Sequence, residues 1–216
     1  MIELIVKALL AYLIGSIVGS LALGKLRGVD IRTLGSGNAG ATNMLRTQGI
    51  AAAIVVLLID LGKGWVATGV LAPLATAGIP SEPTLRAAVT AACGLAVILG
   101  HVYPLWHGFR GGKGFATFLG AVLGISAGLM LVAVITWLAV VIVVGFVGLA
   151  SMVCAAAVAV AIAVRYRGAQ PELLAFGILA ALLITYTHRA NIGRMLAGTE
   201  PRARRLWLLG LRRGPG

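Results

Sequence analysis

The sequence predicts an all-α integral membrane protein: a seven-transmembrane-helix bundle with its N-terminus outside and its C-terminus in the cytoplasm. Three observations predict it. Of 216 residues, 60% are hydrophobic and 11% charged, with a mean hydropathy of +1.02, whereas soluble domains are about half apolar and a quarter charged. The apolar residues fall in runs that, at about 20 residues per span, give about six to eight crossings and leave no room for a separate soluble domain. The basic residues, finally, divide unequally between the two faces those runs create. The whole chain, 1–216, is therefore expected to be one polytopic domain with a basic tail from about residue 203. A net charge of +12 would point to nucleic acid in a soluble protein. In a membrane protein, topology and anionic substrates or lipids account for it, and no nucleic-acid partner is expected. Cys93 and Cys154 lie inside apolar runs and are expected to be buried free thiols.

The first span is expected over residues 2–23; Glu3 precedes any basic residue and the run is too long for a signal peptide, so it reads as a retained helix. A basic loop, 25–32, leads into a polar, glycine-rich stretch. The second span, about 51–74, contains Asp60 and Lys63, spaced to neutralise each other at i, i+3. Such a pair is either a functional intramembrane group or a structural ion pair. A loop with two prolines covers 75–83. The third span, 85–99, ends before Pro104, with Tyr103 and Trp106 as interfacial anchors. Spans four (115–127) and five (129–147) are joined by a tight turn near Ser126. The sixth is 148–164, and Pro171 suits the first turn of the seventh, which runs to about Thr187.

Across seven spans, thirteen of the 18 Lys and Arg collect on one face and four on the other, with Lys63 in the membrane. The positive-inside rule makes the crowded face cytoplasmic. That face receives the glycine stretch, the loop around residues 101–114, the Ser151 end of span six and the segment after His188.

In the glycine stretch, Gly35, Gly37 and Gly40 let the backbone turn tightly and approach a ligand. A helix is expected from about Ala39, with Ala39, Thr42, Asn43 and Arg46 on one face at i, i+3, i+4 and i+7. Unpaired N–H groups at such a helix start suit a phosphate, Ser36, Thr42 and Asn43 add neutral hydrogen bonds, and Arg46 can grip two phosphate oxygens. A small-residue packing segment would explain the glycines but not the polar side chains among them. The sequence GFRGGKG at 108–114 is a second anion-suited loop, with Arg110 and Lys113 supplying charge and Gly111 and Gly112 freedom. It lacks P-loop spacing, and a basic loop beside a span also serves as a topology anchor. His101 and His107 are read as interfacial or hydrogen-bonded histidines. His188 and Asn191 share a helix face, and Ser151 is most simply a helix cap or an interhelical hydrogen bond. Scattered histidines without a carboxylate cluster give no metal site, and no cofactor is expected.

Together, GSGNAGATN at 35–43, GHVYP with GFRGGKG at 100–114, and HRANIGRMLAGTEPR at 188–202 resemble the bacterial membrane acyl-phosphate:glycerol-3-phosphate acyltransferase family. The resemblance covers the chain to about Arg202. It implies transfer of a fatty acyl group from acyl phosphate to the 1-hydroxyl of glycerol 3-phosphate, giving lysophosphatidic acid and phosphate at the bacterial inner membrane. It implies membrane lipid, both substrates and the soluble enzyme that supplies acyl phosphate as partners. On the matching positions it assigns the site to Ser36, Asn38, Thr42, Asn43, Arg46, Lys113, Ser151, His188 and Asn191. Arg110 stands where similar sequences commonly carry lysine. An already activated donor needs no catalytic triad, so positioning and oxyanion stabilisation supply the rate. The hydroxyl proton goes to His188 or to a substrate phosphate oxygen; the latter is favoured because no carboxylate lies near His188 in sequence. The alternative is a membrane transporter or channel for phosphorylated small molecules. Such proteins usually place their site at the midplane and show internal repeats, neither of which is evident here.

Overall fold

The computed structural model describes residues 1–75, 83–203, 206 and 207, and among them all regular structure is helical. Apart from its ends, the loop expected at 75–83 lies outside the described residues, as does most of the basic tail. The chain forms two compact units, Met1–Ala127 and Gly128–Gly216.

The first unit contains α1 (Ile2–Gly15), α2 (Gly19–Leu26), α3 (Ala41–Gln48), α4 (Ile50–Trp65), α5 (Arg86–Val102) and α6 (Phe115–Ile125). Short 3-10 turns occupy Ile31–Thr33 and Leu105–His107, and α4 continues as a π-helix over Val66–Leu71. Close crossings are made by glycine. On α1 and α5, a β-carbon at Gly15 would strike the Val97 backbone and one at Gly100 the Tyr12 carbonyl. On α4 and α6, Gly64 and Gly120 play the same part against Thr117 and Leu61. Without side chains at these points the backbones approach, and the contact is dispersion between helices.

The expected first span is not one straight helix. It breaks at 16–18, and α1 and α2 meet at 42°. An unbroken helix would have Gly19 N–H donate to Gly15 O. Here α4 takes both halves of that lost bond: Asp60 Oδ1 accepts from Gly19 N at 3.2 Å, and Lys63 Nζ donates to Gly15 O at 2.9 Å and to Ile17 O at 2.8 Å. The ion pair expected between Asp60 and Lys63 is present at 3.1 Å. It therefore caps a broken helix from the side, satisfying backbone groups that lipid cannot. Below the break, Val18, Ile31, Ala39, Met44, Ala52 and Val56 form a core cluster that seats the glycine stretch on α4.

The second unit contains α7 (Ala127–Val144), α8 (Val147–Tyr166), α9 (Pro171–Thr187) and α10 (Arg189–Leu196), with Pro171 in the first turn of α9 as expected. Four segments are long and apolar enough to cross a membrane: Ile50–Leu71, Arg86–His107, Ala127–Val144 and Val147–Tyr166. The bent pairs α1–α2 and α9–α10 (55°) raise the number to six if each is one span. The expected fourth span is α6. Its 11 residues reach about 16 Å at 1.5 Å per residue, short of a hydrocarbon core of about 30 Å. Cys93 and Cys154 are buried and free.

Candidate active site

The first glycine stretch is organised by one amide. Asn43, 1% exposed, accepts from Ser36 N at 2.9 Å through Oδ1 and donates through Nδ2 to Leu34 O at 2.9 Å and Ile31 O at 3.2 Å. Gly35, at φ 56°, lies so close to Asn43 Oδ1 that a β-carbon would overlap it. The expected helical face is split. Gly40 is extended (φ −144°, ψ 166°), so the helix begins at Ala41 and not at Ala39, and Ala39 lies in the core. Asn43 and Met44 turn inward, whereas Thr42 and Arg46 are exposed, as is Ser36. Among the described residues the Arg46 guanidinium has no hydrogen bond or ion pair.

The second loop hangs from the end of α5. Gly111 N donates to Val102 O at 3.0 Å and Gly112 N to His101 O at 3.1 Å, next to half-buried Lys113. A β-carbon on Gly112 would run into both His101 Nε2 and Ala39 O, so the two glycine stretches meet there. Arg32 fastens them a second time. Its Nη1 donates to His107 O and Arg110 O, each at 3.1 Å, while Nε and Nη2 hold the Asp30 carboxylate at 2.8–3.2 Å. Bonds from the Arg32 side chain and backbone take the Asp30 pKa from 3.8 down to about 2.

In the second unit, His188 stands at the α9–α10 bend, 5% exposed, with Nδ1 2.8 Å from Ile184 O. Donation to that carbonyl leaves the lone pair of the neutral ring on Nε2, so a backbone oxygen orients the histidine in place of a carboxylate. Asn191 Nδ2 donates to Glu200 Oε1 and Arg194 Nε to Glu200 Oε2, both at 2.6 Å. Gly148 on α8 leaves the room that Asn191 fills; a β-carbon there would lie 2.9 Å from Asn191 Nδ2. Ser151, one turn further on, donates to Val147 O at 3.0 Å, a bond back within its own helix and neither of the roles expected for it. The tail closes on the α7–α8 turn: Arg202 lies 4.5 Å from the Phe146 ring and 4.0 Å from that of Trp207.

The family model described as "Glycerol-3-phosphate acyltransferase" matches residues 5–198. The chain belongs to that family. A relative of the same name from Thioalkalivibrio sulfidiphilus (strain HL-EbGR7) is 43% identical over 193 residues, 89% of this chain and 90% of its own. Another, from Cereibacter sphaeroides (strain ATCC 17025 / ATH 2.4.3), is 39% identical over 203 residues, 94% of this chain and 90% of its own. A crystal structure of PlsY (YgiH), described as an integral membrane glycerol 3-phosphate acyltransferase in its glycerol 3-phosphate form, matches with a TM-score of 0.81. Its identity is 37% over 92% of this chain and 94% of that one.

For this member of the glycerol-3-phosphate acyltransferase family, the first unit brings Ser36, Asn38, Asn43 and the Arg110–Lys113 neighbourhood onto joined loops. The second seats Asn191 beside the first turn of α8. Three residues escaped the sequence reading. In the sequence Arg32 counts only as a topology charge, and no motif assigns a role to Asp30 or Glu200. The signal for Glu200 was present: it is the single acid after Glu172, inside a basic motif.

Proposed function

We propose that this chain transfers a fatty acyl group from acyl phosphate to the 1-hydroxyl of glycerol 3-phosphate, giving lysophosphatidic acid and inorganic phosphate in the first step of bacterial phospholipid synthesis. The observation that carries the proposal is the double fastening of two glycine-rich, basic loops, through Arg32 and through the Ala39–Gly112 contact, in a chain of this family. Two phosphate-bearing substrates require two anion-holding loops, and joined loops keep their anions at a fixed separation.

In this reading Arg46 and Ser36, Asn38 and Thr42, with the backbone of Gly35, Gly37 and Gly40, serve one phosphate. Lys113 and Arg110, with the backbone of Gly111 and Gly112, serve the other. Asn43 holds the first loop in shape, and the family motifs support a part in the reaction for Ser151, His188 and Asn191 as well. The glycerol 1-oxygen attacks the acyl carbonyl carbon, and the new C–O ester bond forms. The bond from that carbon to the phosphate oxygen breaks. The hydroxyl proton passes to a phosphate oxygen of the donor, so phosphate leaves as hydrogen phosphate, and no acyl-enzyme forms. The soluble enzyme that makes acyl phosphate is then the partner upstream.

The same reading treats the chain as one polytopic domain with seven spans: the four long helices, the two bent pairs and α6, whose shortness is accommodated by its packing against α4 and by local thinning of the bilayer. The excess of basic residues supports an N-terminus outside and a site at the cytoplasmic face of the inner membrane. Cysteines at exposed Leu45 and Trp106 are then blocked by an impermeant thiol reagent in inside-out vesicles and not in intact cells; labelling in intact cells overturns the topology.

The function is tested with purified protein, acyl phosphate and glycerol 3-phosphate, following phosphate release together with the lysophosphatidic acid formed. One phosphate per lysophosphatidic acid is expected. Turnover with acyl-CoA or acyl carrier protein but not with acyl phosphate removes the donor assignment, and a hydroxylamine-sensitive acyl group on Ser36 or Ser151 that turns over removes the direct transfer.

A further inference from the structure

The reaction as proposed leaves unused a buried polar cluster that borders the candidate site. Asp60, Lys63 and His101 are 1%, 7% and 3% exposed, and they come from the C-terminal turns of α4 and the end of α5. Lys63 Nζ lies 2.9 Å from His101 Nδ1, which is itself 3.4 Å from Asp60 Oδ1. Lys63 Nζ also donates to Gly15 O and Ile17 O and lies 3.1 Å from Asp60 Oδ1, so the ring sits among the groups that one ammonium holds. Nε2 is the atom that, with Ala39 O, fills the space beside Gly112. The His101 carbonyl holds the Gly112 N–H from the other side. A single histidine thus contacts the second loop through ring and backbone, while its ring is held by the pair that caps the break before α2.

Charges at this depth are expensive, and apolar side chains pack a bend more cheaply. What charge adds is direction. Lys63 and Asp60 together fix the path of α2, which leads into the first glycine stretch, and fix the ring against which the second stretch is seated. We infer that Asp60, Lys63 and His101 are positioning residues that set the spacing between the two glycine loops, and so the alignment of acyl carbon with glycerol hydroxyl. The catalytic half of this inference rests on the acyl-transfer reading above; the spacing half does not.

The test uses the full chain in detergent, with spin labels on Leu45→Cys and Trp106→Cys, exposed positions beside the first and second loops; Cys93 and Cys154 are buried. The wild-type background is expected to give one narrow distance distribution, and His101→Leu and Lys63→Met a broader or shifted one. In unlabelled protein, His101→Leu should lower kcat per folded molecule roughly ten- to a hundredfold, with KM for each substrate within about threefold, because misplacement harms the transition state more than either binding step. His101→Gln keeps a polar amide of similar reach on the Gly112 side and should recover most of both signals. It also serves if His101→Leu fails to fold.

A merely structural role predicts less folded protein with unchanged distances and unchanged kcat in what survives. That result, or altered distances with unchanged kcat, overturns the inference. If the wild type transfers no acyl group, the functional reading fails, and the label distances still decide whether the cluster sets the spacing.

Discussion

Two buried lysines in the first unit use the same chemistry to different ends. Lys7, 1% exposed, donates to Glu3 Oε1 at 2.7 Å on its own helix and to Ala72 O and Leu74 O at the end of the span that α4 begins. Lys63 pairs with a carboxylate on its own helix, and it too donates to two carbonyls at the end of a neighbouring one. Each is an ammonium that caps a helix end where lipid offers no donor. Lys63 differs in having a fourth neighbour, an imidazole that reaches a glycine loop of the candidate site. Among the described residues Lys7 bonds to no such loop. A buried charge is therefore no sign of function by itself. What it touches next decides.

The sharpest way to break the comparison is to remove each ammonium. Lys7→Met and Lys63→Met each take the ammonium away from a buried carboxylate and two helix-end carbonyls, and each should lose about 3–5 kcal/mol of stability. Thermal unfolding in detergent reads that loss, and it should be similar for the two. Turnover per folded molecule should fall only for Lys63→Met. An equal fall in Lys7→Met would erase the distinction.

Glycine substitutions sharpen the same contrast at a smaller scale. Gly124→Ala, at the end of α6 away from the second loop, forces a β-carbon against Thr68 Oγ1 and the Gly69 backbone, and overpacking of this kind costs about 1–3 kcal/mol. The effect should appear in the unfolding temperature and not in kcat. Gly112→Ala drives its β-carbon into His101 Nε2 and Ala39 O. It should cost about tenfold or more in kcat/KM, because both loops shift. A Gly112→Ala enzyme with wild-type kinetics would mean that the loops tolerate displacement.

Arg46 lies at the opposite extreme from the buried lysines, exposed and without an internal partner among the described residues. Arg46→Lys keeps the charge but loses the two-pronged grip on a phosphate. The expected loss is about tenfold in kcat/KM, or about 1.4 kcal/mol, with no change in unfolding temperature. A destabilised protein with intact kinetics would make Arg46 an anchor.

The contrast also shows which parts of the molecule were legible in the sequence. The apolar runs, the Asp60–Lys63 pair and the three polar motifs are all local patterns, and each has its counterpart in the structure. The break at 16–18 was not legible, because no proline marks it and its cause lies on α4. Asn43 was legible as a polar residue of the motif, but not as the amide that pins its own loop, since that needs the turn at Gly35 and Ser36 already folded. The face expected for Ala39, Thr42, Asn43 and Arg46 assumed a helix two residues longer than Gly40 permits. Arg32 and Glu200 were hidden because their partners are backbone carbonyls or residues brought near only by a bend.

The smallest expected effect concerns the Asp30–Arg32 pair, an exposed strut to the loop that the Lys63 cluster supports from within. Its side chains are 42% and 31% exposed, so the pair should contribute under about 1 kcal/mol, with a shift of about 2–4 °C at most in the unfolding temperature of a protein this size. The sign follows from the depressed pKa of Asp30. A carboxyl taken from 3.8 to about 2 on folding stabilises the protein fully above pH 3.8, and its contribution fades as the pH falls through about 2. The unfolding temperature of the wild type should thus exceed that of Asp30→Ala by a constant amount above pH 3.8, and the difference should shrink toward pH 2. High salt should shrink it at neutral pH as well, while leaving the Lys63→Met deficit nearly unchanged, because buried pairs are screened far less. A difference that survives unaltered at pH 2 and in high salt would mean that Asp30 acts by shape and not by charge, and the outer strut would then differ in kind from the inner one.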